Sequence, residues 1–115
     1  MKSSNYLLEC CVDSAYSARM AKKGGADRLE LCSNLVIGGT TPTLALYEQI
    51  RNQTDIRIHV LIRPRFGDFL YSEDETALIC KEIDAFRAAG ADGVVIGSLS
   101  PDGSLCTCLL YTSPS

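Results

Sequence analysis

Apolar positions along this chain follow two different periods, and the switch between them marks the elements. Four short runs dense in apolar and β-branched residues read as strands: Tyr6 to Val12, Leu29 to Cys32, Ile56 to Ile62 and Gly93 to Gly97. Between them, apolar residues recur at helical spacing. Ala15, Ala18 and Ala21 make a small face, Leu46, Tyr47 and Ile50 a larger one, and Ile79, Ile83 and Phe86 a single stripe. End signals agree with this division. Asp13 or Ser14 can cap the first helix, and Gly24-Gly25 ends it. Thr41 followed by Pro42 predicts the start of the second, with proline in the first turn, and Ser72 with Glu75 predicts a capping box on the third.

Strand and helix alternate from residue 6 to residue 97, the mark of βα repeats around a parallel sheet. Gly25-Ala26-Asp27 leads into the second strand and Gly90-Ala91-Asp92 into the fourth, 65 residues apart. That distance is two units of roughly 30 residues each. The pattern predicts an α/β chain forming about four βα units, the N-terminal half of a (β/α)8 TIM barrel whose usual length is ~250 residues. An open doubly wound domain is the alternative. A half barrel would leave its first and fourth strands as open edges, which favours self-association.

Composition narrows the partners. The chain has 115 residues, 46% hydrophobic and 22% charged, with a net charge of -3. Lys and Arg are scattered, so no basic stripe exists to neutralise phosphates and nucleic acid is not an expected partner. No run approaches the ~20 apolar residues of a membrane helix, and MKSSNYLLECC lacks the long uncharged core of a secretory signal. A cytoplasmic protein with its six cysteines reduced is the expectation.

One short pattern carries the chemistry. Glu9-x-Cys11 in LLECCVD and Glu30-x-Cys32 in RLELCSN each put a carboxylate and a thiol on one side of a strand. If the two strands are parallel neighbours, Cys11 and Cys32 are expected side by side about 5 Å apart. Two converging thiols make a candidate site for a soft metal ion. The plainer account is that a buried cysteine packs as a small hydrophobe. Glu9 and Glu30 are costly in apolar strands unless paired, and Arg63 in LIRPR could supply the opposite charge, giving an acid/base and guanidinium cluster at a barrel mouth. The competing account is an internal ion-pair layer. Arg63, Arg65, Asp68 and Tyr71, in a loop with Gly67, suit a small anionic ligand; alternatively Arg65 and Asp68 brace that loop. His59, the only histidine, reads as structural, and Met20 as core.

The blocks LLECCVDSAYSA, KGGADRLELCSNL, GGTTP, HVLIRPRFGDFLYS and GADGVVIGSLSPDG, in this order and spacing, resemble the N-terminal half of the CutC copper-homeostasis family over about residues 7–104. The resemblance implies a TIM barrel, a cytoplasmic protein, Cu(I) binding and homo-oligomers. It also implies Cys11 and Cys32 as the copper ligands. Cys10 should face the opposite way, against a helix. After Ser104 the chain departs from the family: residues 105–115, LCTCLLYTSPS, resemble the translated read-through of a sequencing adapter, and Cys106 and Cys108 receive no role. The expected domain is therefore 1–104. Two functions follow: a cytosolic Cu(I)-binding protein, or a TIM-barrel enzyme using Glu9 or Glu30 as acid/base and Arg63 and Arg65 as an anion clamp.

Overall fold

A computed structural model describes residues 6–96, so the end of the predicted fourth strand at Gly97, the SPDG turn and the tail 105–115 lie outside the described residues. Strands and helices alternate as β1 (Glu9–Val12), α1 (Ala15–Lys23), β2 (Arg28–Leu31), α2 (Leu44–Arg51), β3 (Arg57–Leu61), α3 (Glu73–Ala88) and β4 (Gly93–Val95). A 3-10 turn, Leu35–Ile37, sits between β2 and α2. All neighbouring strands pair in parallel, in the order β1-β2-β3-β4. The order never reverses, which is the arrangement of a partial (β/α)8 barrel and not of a doubly wound sheet among the described residues.

The core lies between the sheet and its helices. Val12, Leu29, Leu31, Ile58, Val60 and Ile62 point to the helix side, none more than 2% exposed. They join Ala18, Tyr47, Ile50, Ile79, Ile83 and Phe86 in one cluster. Tyr47 meets Phe86 edge-on, with ring centroids 5.9 Å apart. Cys10 packs against this cluster as its parity requires, whereas Met20 is 39% exposed and not core as expected, because the helical face it shares turns outward.

The helix starts follow local hydrogen bonding. Ser14 caps α1 by accepting from the Ser17 N–H, and Ser72 and Glu75 form the predicted capping box on α3. Helix α2 differs from expectation, since its cap is Thr43, whose Oγ1 accepts from the Leu46 N–H at 3.1 Å. Thr41 is committed elsewhere. Its Oγ1 accepts from the Arg63 N–H at 2.8 Å, and its own N–H donates to the Arg63 carbonyl at 2.9 Å, so Pro42 precedes the cap.

The repeated Gly-Ala-Asp corner is built the same way twice. Asp27 donates its N–H to the Leu8 carbonyl at 2.8 Å and accepts the Leu8 N–H on Oδ2 at 2.8 Å. Asp92 does the same with Ile58, at 3.0 and 2.9 Å. Gly25 and Gly90, with φ of 95° and 96°, supply the left-handed turn that each corner needs.

Candidate functional site

The candidate residues occupy the other side of the sheet, the side that faces inward in a barrel. Glu9 and Cys11 on β1, Arg28 and Glu30 on β2, and Arg57 and His59 on β3 alternate with the core residues and therefore share this face. Cys32, one residue past β2, keeps the same parity.

The register corrects the expected cysteine pairing. Cys11 stands opposite Glu30 and Glu9 opposite Arg28, so β2 is displaced by two residues from the register that would set Cys11 beside Cys32. The thiols are diagonal neighbours on one face. Cys11 Sγ donates to Glu30 Oε2 at 2.9 Å, and this bond, followed by loss of water, pushes the thiol up to about 12. Cys32 is only 2% exposed and lies 3.7 Å from the Val12 carbonyl. Burial first, then the charges of Glu30 and Asp13, push its thiol up to about 11. Cys11 is exposed and Cys32 buried, so the two differ in access.

The expected cluster of Glu9, Glu30 and Arg63 does not form. Glu9 pairs with Arg28, and Glu30 accepts from Cys11. Arg63 instead donates to three carbonyls, through Nη1 to Gly39 at 3.0 Å and Ile37 at 3.4 Å, and through Nη2 to Gly67 at 2.8 Å. Its guanidinium stacks over Phe69, 5.2 Å from the ring centre. The cause is the strand end: Arg63 lies beyond β3, where loop carbonyls are nearer than the mid-strand carboxylates.

Arg65 is likewise taken up by the protein. Its Nε donates to Glu75 Oε2 at 2.5 Å, while Nη2 reaches Asp68 Oδ1 at 3.2 Å and the Leu70 carbonyl at 2.8 Å. Asp68 also accepts the Leu70 N–H. The bracing account of Arg65 and Asp68 thus describes their contacts. Tyr71 lies under Arg65, 5.1 Å from its guanidinium, with a buried hydroxyl whose pKa burial raises.

On the inner face the sequence reading passed over Arg28 and took His59 only as structural. Arg28, the partner of Glu9, sits two positions before Glu30, and the parity that grouped Glu30 with Cys32 also selects it. His59 stands in register between Glu30 and Gly93, completing a row Cys11, Glu30, His59 across three strands. A Cβ on Gly93 would come within 3.0 Å of the imidazole Nε2, so the ring lies across this glycine.

What can this face hold? Among the described residues no group of three His, Cys, Asp or Glu side chains is placed to bind a metal ion. The thiols of Cys11 and Cys32 share this face with the Glu30 carboxylate and the His59 imidazole, and thiolates are the donors that soft ions prefer.

The comparisons with known proteins agree on one family. The CutC family model matches residues 6–112. The human protein named "Copper homeostasis protein cutC homolog" is 46% identical over 103 residues, covering 90% of this chain and 38% of that protein. A CutC family protein of Porphyromonas gingivalis is 48% identical over 96 residues, covering 84% of this chain and 39% of its own length. A crystal structure of CutC from Streptococcus agalactiae superposes with a TM-score of 0.81 at 28% identity, over 92% of this chain and 52% of that one. The chain spans about two fifths of the length of these curated relatives.

Proposed function

Because the chain belongs to the CutC family, we propose that it is a cytoplasmic copper-homeostasis protein whose Cys11 and Cys32 bind Cu(I). The observation that carries this reading is the pair of thiols on one face of adjacent parallel strands, in a fold shared with relatives named for copper homeostasis. Thiolates are the soft donors that Cu(I) prefers, and a diagonal pair can bridge one two-coordinate ion. Both thiols hold their protons at neutral pH, so binding releases protons and tightens as pH rises. Residues 1–104 are the barrel portion in this reading, the tail 105–115 takes no part, and homo-oligomers accord with it.

The enzyme reading has less support. Its anion clamp requires Arg63 and Arg65 to face a ligand, and both guanidinium groups are engaged by loop carbonyls and carboxylates. A small anionic ligand would have to displace those contacts.

Anaerobic titration of Cu(I) against a competing chelator tests the proposal. The Cys11→Ser, Cys32→Ser double variant is expected to bind Cu(I) at least about 100-fold more weakly, the upper range for loss of mere supporting contacts. Equal affinity in the double variant overturns the assignment.

A further inference from the structure

The burial of Cys32 has a specific cause. After β2 the chain makes an excursion over residues 34–39, pinched at its base by the antiparallel bridge between Ser33 and Thr40. Gly39, at the returning end, lies directly against the thiol: a Cβ built there would stand 3.5 Å from Cys32 Cβ, 3.7 Å from its Sγ and 2.9 Å from Leu61 Cδ2. Only glycine lets the backbone come this close, and its φ of 91° suits no other residue well. The excursion is a strap across Cys32.

Little holds the strap by packing. Leu35, Val36 and Ile37 are 38%, 100% and 46% exposed. Among the described residues, its hydrogen bonds run within the strap or to its base, from Ile37, Gly38 and Gly39 N–H to Asn34 and Leu35 carbonyls and from the Asn34 amide to Thr40. The exception is Arg63. Its Nη1 holds the Ile37 and Gly39 carbonyls, while Nη2 holds Gly67 in the following loop. One guanidinium therefore bolts the strap to the β3–α3 loop. Segments with few buried apolar contacts open most readily, and here the opening is opposed by charge-assisted hydrogen bonds from a single side chain.

We infer that Arg63 latches the 34–39 strap over Cys32, and that its release exposes this thiol while leaving Cys11 as it was. Arg63 is a positioning residue: it touches the strap, and the strap touches the thiol. As a control of metal access, the latch rests on Cys32 being a ligand; the strap itself is tested without metal.

The experiment is per-cysteine alkylation by iodoacetamide on the intact, metal-free protein, read by peptide mass spectrometry. In Arg63→Ala the Cys32 rate is expected to rise about tenfold or more, the equivalent of one lost charged hydrogen bond, with Cys11 and Cys80 unchanged. Gly39→Ala, which pushes the strap away from Leu61 while keeping the Arg63 side chain itself intact, is expected to act in the same direction. An unchanged Cys32 rate in both variants overturns the latch. So does a rise of Cys80 in step with Cys32 in both, since that is global unfolding; if it occurs in Arg63→Ala alone, Gly39→Ala decides. A failed latch leaves the copper reading standing, and undiminished Cu(I) binding by the double serine variant removes the copper reading while leaving the latch.

Discussion

On its helix side the sheet presents Val12, Leu29, Leu31, Ile58, Val60 and Ile62, all sealed from water. On its inner side the same strands present Glu9, Cys11, Arg28, Glu30, Arg57 and His59, most of them reachable by solvent. The two sets alternate residue by residue along the backbone, so the contrast owes nothing to chain location and everything to which neighbours each face meets. Helices supply the first face with apolar partners; on the second, Glu9 pairs with Arg28 and Cys11 with Glu30, beside Leu61 and Val95. Stability and chemistry are thereby assigned to opposite sides of one layer.

Substitutions on the two faces can break or sharpen this contrast. The largest effect is expected from Leu29→Ala on the helix side, which opens a cavity in the middle of the core and should cost about 3 kcal/mol in urea unfolding. A cost under about 1 kcal/mol would mean that the sheet does not rest on this face. A smaller loss is expected from Glu75→Gln, which weakens the α3 capping box and the anchor of Arg65. The Ser72 N–H, and next the Arg65 guanidinium, hold the Glu75 carboxyl below the usual carboxylate range. Its contribution is therefore present above the ordinary glutamate pKa and is lost as pH falls through the lowered value. Thermal melts from pH 7 downward should show this acid loss in the wild type and a flatter profile in the variant; parallel profiles would refute it. The smallest effect is expected on the inner face. Glu9→Gln removes a partly exposed ion pair with Arg28 and should change stability by no more than about 1 kcal/mol. A larger cost would show that the inner face is structural after all.

Most of the helix-side architecture was legible in the residues, because burial there imposes a period. The stripe Ile79, Ile83 and Phe86 is buried as spaced, and so are Tyr47 and Ile50. The inner face was legible only in parity. A slip of two residues between β1 and β2 keeps every side chain on its own side, so the pattern could not choose between Cys11 facing Cys32 and Cys11 facing Glu30. The fate of Arg63 was hidden for another reason. Its acceptors are carbonyls of Ile37, Gly39 and Gly67, groups that every residue carries and no sequence distinguishes. Thr41 and Thr43 posed the same problem, two hydroxyls equally able to cap, separated only by the nearness of β3 to one of them.

The doubled aspartate corner bears on how the chain comes together. Each aspartate reaches back to the opening of the strand before the preceding strand-linked helix unit, Asp27 to Leu8 across 19 residues and Asp92 to Ile58 across 34. Everything needed to fasten Asp27 has been synthesised by the time Asp27 itself emerges, and the same is true of Asp92. Both clasps therefore fasten onto chain that lies before them in the sequence, and neither draws a partner from residues that follow it.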